Sequence, residues 1–213
     1  MRLKQRVITM IQFRDISLSF NNKVIFNNFN MDITRGEKVL INAPSGRGKT
    51  TLFKLLLGFC IPDKGKILLK GKTLEKKNLP YFRTNIGYVS QDVDLRNLKI
   101  WDLIIEIFSY KYNKHIHITK DKFISIAQYF ELPLNIDEKE VFQLSGGERQ
   151  RLGLVICILL DRKIWLLDEI TSGLDKNIKE KIVDFVLKQD KTILIISHDK
   201  IWRKNDVVRI EEW

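Results

Sequence analysis

The chain has 213 residues, enough for one large domain or two small ones with a core that needs no disulfide or metal staple. Charged residues make up 30% and apolar ones 44%, the balance of a folded protein, which excludes a disordered tail and a collagen-like chain. Lys plus Arg number 37 against 26 Asp plus Glu, a net charge of +11 that fits either an anionic partner or compositional drift.

Residues 1–9 carry basic side chains but no apolar stretch of signal-peptide length, and read as an extension before a second methionine, Met10. From residue 11 to 35 the alternation of Ile11, Phe13, Ile16, Leu18 and Phe20, then Val24, Phe26, Phe29, Met31 and Ile33, predicts antiparallel strands turning at Asn21-Asn22. A short strand, Lys38 to Ile41, runs into a glycine-rich loop and a helix from about Thr50 to Gly58. Residues 66–90 return to β character and end in Ile86-Gly87-Tyr88-Val89-Ser90. The Lys-rich stretch from Lys64 to Lys77 reads as the solvated face of a short hairpin. With charges scattered in this way, and with 29 Ile, 25 Lys and 13 Asn but two Ala, drift is the favoured source of the basic balance.

Residues 95–140 change to helical spacing, as in Leu98, Trp101, Ile104, Ile105 and Phe108, and read as a helical insertion. From Ser145 the pattern is helix, strand (Lys163 to Leu167), helix (Asn177 to Lys188), strand (Thr192 to Ile196). That alternation predicts parallel β/α units with both faces of the sheet covered, and hence an α/β fold. The longest apolar run, Leu152 to Leu160, has nine residues. A bilayer span needs about 18, so the chain is expected not to cross a membrane alone. Cys60 and Cys157 form no disulfide framework, read as core thiols, and fit a reducing compartment. His115 and His117 have no accompanying ligands in the sequence and read as a solvated loop.

Three segments carry chemistry. The first is Ala43-Pro44-Ser45-Gly46-Arg47-Gly48-Lys49-Thr50, placed between a strand and a helix. Backbone N–H groups in such a loop curl around phosphates, the helix N-terminus adds its positive end, Lys49 reaches the β- and γ-phosphates, and the Thr50 hydroxyl holds Mg²⁺. A glycine-rich turn without ligand is the competing reading. The second is Ile164 to Glu169, a buried strand ending in two carboxylates at the sheet edge where α/β proteins bind ligands. Asp168 suits a magnesium role, and Glu169 suits a base that orients or deprotonates the attacking water. The third is Leu144-Ser145-Gly146-Gly147-Glu148, directly before an apolar helix, which makes a second anion site at a helix N-terminus.

With these three in order, the sequence resembles the ATP-binding cassette (ABC) ATPases, whose LSGGQ signature is here LSGGE. The resemblance covers residues 10–206. It implies a P-loop core with a mainly parallel sheet, an N-terminal antiparallel β lobe and a small helical subdomain. In those terms the chain is a single domain, 1–213, with residues 10–90 and 145–213 as the core and about 92–144 as the helical subdomain. It further implies ATP and Mg²⁺ as cofactors, with Phe20 stacking on adenine unless it is an ordinary strand aromatic. Residues 43–50 and Thr51 would hold the phosphates, and Thr50, Gln91 and Asp168 the metal. The resemblance makes Glu169, His198 and Gln91 catalytic, and the D-loop Ser172-Gly173-Leu174-Asp175 a crossing element at a dimer interface. Ser145, Gly146, Gly147, Glu148 and Asp175 would contact nucleotide there, because in this family two copies pair head to tail and each signature covers the partner's ATP. Departures are Ala43, Arg47 and Ile170. Ala43 stands where a glycine often adopts a conformation costly for a Cβ, which predicts strain in the loop if that conformation is kept.

The expected activity is ATP hydrolysis by the motor subunit of a transporter. Partners would be a second copy of itself and a separate integral membrane subunit, with no direct nucleic acid, and the location the cytoplasmic face of the membrane. Small stand-alone metal or iron exporters, lipoprotein-release subunits and macrolide-type subunits all fit. The alternative is a non-transport ABC ATPase acting on nucleic acid or the ribosome. Against it, Gln91 and Ser145 stand only 54 positions apart, room for a small helical unit and not for a long coiled coil.

Overall fold

The computed structural model describes residues 8–44, 46–204 and 206–213. Two sheets organise the chain. The first is antiparallel, built from β1 (Thr9–Phe20), β2 (Lys23–Thr34), β4 (Lys64–Leu69) and β5 (Lys72–Thr73) in the order β2-β1-β4-β5. Asn21 and Asn22 close the first hairpin with φ of 47° and 64°, the left-handed pair that a two-residue turn on twisted strands requires. The second sheet holds β3 (Lys38–Ile41), β6 (Ile86–Val89), β7 (Ile164–Asp168), β8 (Thr192–Ile196) and β9 (Val208–Glu211) in the order β6-β7-β8-β3-β9. All four of its pairings are parallel.

Because side chains alternate along a strand, each face of the parallel sheet feeds a different core. Val39, Ile41, Ile164, Leu166, Leu194 and Ile196 pack with Ile11, Phe13 and Ile33 of the antiparallel sheet and with Leu52, Phe53 and Leu56 of α1 (Lys49–Leu56). Leu40, Trp165, Leu167, Ile193 and Ile195 pack on the other side, against α5 (Gly146–Leu160) and α6 (Lys176–Leu187). The same second core takes in α3 (Ile100–Ser109) and α4 (Lys120–Tyr129), through Ile100, Ile104, Phe108, Phe123 and Ala127. Cys157 lies buried in this core, and desolvation pushes its thiol up to about 12. Cys60 is only half-buried.

Two expectations require correction. Residues 66–90 are not β throughout: a 3₁₀ turn (Lys76–Asn78) leads into α2 (Leu79–Asn85). Pro80 occupies the first turn, where its missing N–H costs nothing, and Phe82 is fully buried. The predicted Lys64–Lys77 hairpin is correspondingly shorter, closing at Lys70-Gly71 with Leu69 opposite Lys72. Strand β9 was also not anticipated; Val208 and Ile210 alternate, but over four residues that pattern is too short to identify a strand. The proposed 1–9 extension lies outside the described residues up to position 7. Among the described residues no helix is long and apolar enough to cross a membrane.

Candidate nucleotide site

The C-terminal ends of β3, β7 and β8 are neighbours in the sheet order, so the loops that leave them meet. The loop after β3 ends in α1, whose N-cap is Gly48 at φ 89°. A Cβ at Gly48 would sit 2.5 Å from the Ile25 side chain and 3.2 Å from the Phe26 ring, so glycine is required there by both dihedral and space. Lys49 is buried and donates from Nζ to the carbonyls of Ala43 (2.5 Å) and Pro44 (3.2 Å), with His198 Nε2 at 3.3 Å. The ammonium thus lies across the mouth of its own loop, at the end of β8.

At the end of β7, Asp168 Oδ2 accepts a hydrogen bond from the Thr50 hydroxyl at 3.0 Å. Its other oxygen, Oδ1, is buried without a hydrogen-bond partner among the described residues. Burial pushes the Asp168 carboxyl above the usual carboxylate range; the Thr50 hydrogen bond opposes this, the Glu169 charge adds to it, and Lys49 opposes it again. An ionisable oxygen kept buried and unpaired beside a threonine hydroxyl and an ammonium fits a site that receives a cation or its bound water. Glu169 follows with φ 51°, a left-handed turn that costs a non-glycine residue about 1 kcal/mol. The turn is held by Glu169 N–H on the Ile196 carbonyl (2.8 Å) and Ser172 N–H on the Glu169 carbonyl (3.0 Å). It brings the carboxylate to the His198 backbone N–H (3.4 Å) and within 3.7 Å of His198 Nε2.

Gly46, Gly48, Lys49, Thr50, Thr51, Gln91, Asp168, Glu169 and His198 therefore line one cavity of about 570 Å³. Phe20 stands outside that lining, at the end of β1, 47% exposed. Pro44 and the Arg47 side chain are exposed, and Ser45 lies outside the described residues. Ala43 is buried, and it is absent from the residues with positive φ. The strain expected of its Cβ is therefore not present. Ala43→Gly should leave ATP affinity unchanged or slightly weaker and lower stability by about 0.5–1 kcal/mol, because only the unfolded chain gains freedom. Nucleotide titration and thermal melts of both forms check this, and tighter binding by the glycine form would contradict it.

Gly146 and Gly147 line a different cavity, of about 680 Å³, which meets the first at Gln91, Glu169, Ser172 and Gly173. Ser145 caps α5: its hydroxyl accepts from Glu148 N–H (3.2 Å), and its own N–H donates to the Glu148 carboxylate (2.8 Å). These bonds hold the Glu148 carboxyl below its usual range and explain the glutamate in LSGGE, although they turn it toward the backbone of its own turn. Asp175 likewise caps α6, accepting from Ile178 N–H at 3.1 Å, and lines neither cavity.

Several supporting residues were not identified from the sequence. Asp199 accepts from the Thr171 hydroxyl (2.6 Å) and pairs with Lys179 (3.0 Å), while Trp202 Nε1 donates to Thr171 (3.2 Å). This network, anchored on buried Thr171 and Trp202, fixes the loop that carries His198. Lys23 is another: a Cβ at Gly46 would lie 3.9 Å from its ammonium, which places a second cation beside the phosphate loop.

A phosphate loop, a strand-end carboxylate pair and a histidine gathered on one sheet edge define a P-loop ATPase. The ABC transporter family model matches residues 26–172, and the chain belongs to that family. It is 31% identical over 195 residues to the protein named probable iron export ATP-binding protein FetA of Escherichia coli, covering 90% of this chain and 85% of that one. It is 32% identical over 196 residues to the energy-coupling factor transporter ATP-binding protein EcfA1 of Mycoplasma pneumoniae, covering 88% and 69%. Its fold superposes with a TM-score of 0.80 and 24% identity on the dimeric ATP-binding cassette MJ0796 in a post-hydrolysis state bound to ADP and Pi, covering 95% of this chain and 94% of that one. The chain binds ATP and is the ATP-hydrolysing motor of a transporter.

Proposed function

We propose that two copies of this chain close head to tail around two Mg-ATP and drive a separate integral membrane subunit, on whose inner face they sit. The observation that carries this reading is the division of the anion-binding elements between two cavities. The phosphate loop lines one, the signature glycines line the other, and the two share Gln91, Glu169, Ser172 and Gly173 at their border. A single nucleotide in one chain engages only the first, so the signature turn is free to cap the γ-phosphate held by another copy.

In this scheme Phe20 stacks on the adenine ring, and the amides of residues 46–51 with the Lys49 ammonium bind the β- and γ-phosphates. Thr50 and Gln91 would hold Mg²⁺, with Asp168 behind them; the ion supplies positive charge to the phosphate oxygens. Glu169 takes a proton from the attacking water as the new P–O bond forms on the γ-phosphorus and the bond to the β–γ bridging oxygen breaks, leaving ADP and phosphate. His198 donates to the γ-phosphate, and its loop is held in reach by Asp199 and Thr171. Asp175 and Glu148 serve by shaping their helix ends.

Assembly tests the reading. With Glu169→Gln, which keeps the nucleotide from being consumed, Mg-ATP should convert monomer to dimer on a sizing column, and ADP should not. A dimer that forms equally without nucleotide would refute ATP-gated closure.

A further inference from the structure

We infer that Trp213 is a positioning residue for ATP: it fixes the peptide unit that joins Arg47 to Gly48 and so aims the Gly48 N–H into the nucleotide cavity. Trp213 Nε1 donates to the Arg47 carbonyl oxygen at 3.2 Å. That carbonyl and the Gly48 N–H belong to one planar trans unit and point in opposite directions, so a donor that holds the oxygen on one side holds the N–H on the other. Gly48 lines the nucleotide cavity, and Trp213 does not.

Left to itself this unit is free to turn over. Gly48 sits at φ 89°, and glycine populates both signs of φ, so rotation of the Arg47–Gly48 peptide meets little steric resistance. A turned peptide would present a carbonyl oxygen, in place of a donor, to the phosphates. The indole bond opposes that rotation. It also polarises the peptide, which makes the Gly48 N–H a better donor to an anion.

The indole is itself held rigidly. Its ring lies 5.2 Å from that of Phe29 and 6.3 Å from that of Phe26, and Phe26 backs Gly48 directly. Strand β9 pairs with β3, and beyond that pairing Asn42 N–H donates to the Glu211 carbonyl at 2.8 Å. Asn42 Nδ2 also donates to Glu212 Oε1 at 2.5 Å. Both limbs of the phosphate loop, Asn42 on entry and Arg47 on exit, are therefore tied to the three residues 211–213. None of the phosphate-loop side chains makes this bond, so the Arg47 departure from a small residue leaves it intact.

The inference rests on the ATP-binding reading. Trp213→Phe keeps the ring on Phe26 and Phe29 and removes the N–H. The expected result is ATP affinity weakened about 3- to 10-fold, the scale of one neutral hydrogen bond, with kcat at saturating ATP kept and KM raised. Pyrophosphate, used as a competitor, should weaken by the same factor, since the effect falls on the phosphate end. The melting temperature without nucleotide should fall by no more than about 2–4 °C for Trp213→Phe, which loses one hydrogen bond, and further for Trp213→Ala, which also loses the ring packing. Parent-like ATP and pyrophosphate affinity in Trp213→Phe would overturn the inference, as would a loss of ATP affinity that pyrophosphate does not share. A parent protein that bound no ATP would instead overturn the ATP-binding reading.

Discussion

Glu169→Gln should lower ATP turnover by at least about 100-fold while ATP remains bound, the range expected when a positioned general base is removed. The amide keeps the volume of the carboxylate, and its oxygen still accepts from the His198 backbone N–H that Glu169 Oε2 meets at 3.4 Å. The left-handed turn at φ 51° is set by backbone bonds to Ile196 and Ser172, and both are indifferent to the side chain. The substitution therefore removes one property, the capacity to take a proton from water, and little else. Phosphate release and equilibrium binding of ATP, measured side by side, separate the two quantities. A variant that hydrolyses at the parent rate would remove Glu169 from the base role. One that neither binds nor hydrolyses would mean that the carboxylate organises the phosphate site.

The parts of this site that were legible in the sequence are those encoded locally. The phosphate loop, the strand ending in Asp168-Glu169 and the Ser145 turn each sit at a junction between an apolar run and a glycine or carboxylate, so strand, turn and helix start are fixed within about ten residues. Continuous apolar strands likewise identified a sheet buried on both faces, and β7 and β8 are buried at every position. What was hidden depends on contacts between distant positions. The Thr171–Asp199–Trp202 network joins loops after two different strands, and the Trp213 bond to Arg47 spans 166 positions. Strand β9 exists as a strand only because β3 offers it a parallel edge. Helix α2 was masked by the lysines before it and by Pro80, which marks a turn as readily as a helix start. Ala43 shows the opposite failure. The sequence pattern suggested strain, but the backbone there stays out of the left-handed region and the Cβ is accommodated.

The segment after Gln91 bears on how closure of two copies would reach a membrane subunit. Apolar Val93, Leu95, Leu98 and Trp101 of this segment stand in different surroundings. Val93 and Leu95 line the 680 Å³ cavity with Asn97, Val141 and Phe142. Leu98 and Trp101 are half-buried on the helical core, Trp101 with its ring 5.9 Å from that of Phe123. Val93 also rests on α5, where a Cβ at Gly153 would approach it to 3.2 Å. Within this cavity lining, the 63%-exposed Phe142 is the most open apolar side chain, and half-buried Leu95 lines the same cavity. The two segments that carry them are joined, because Phe142 N–H donates to Asn97 Oδ1 (3.1 Å) and Val141 N–H to the Leu98 carbonyl (3.1 Å). Replacing both, Leu95→Ser with Phe142→Ser, should leave ATPase activity of the isolated chain within about twofold, since neither side chain touches the phosphate cavity. Stimulation of that activity by the reconstituted membrane subunit should disappear, because an apolar anchor in a fully desolvated pocket can carry 2 kcal/mol or more, about 30-fold in affinity. Paired assays of the isolated and reconstituted protein read both effects. Loss of hydrolysis in the isolated double variant would make this segment part of the active-site architecture, and unchanged stimulation would place the membrane contact on another surface.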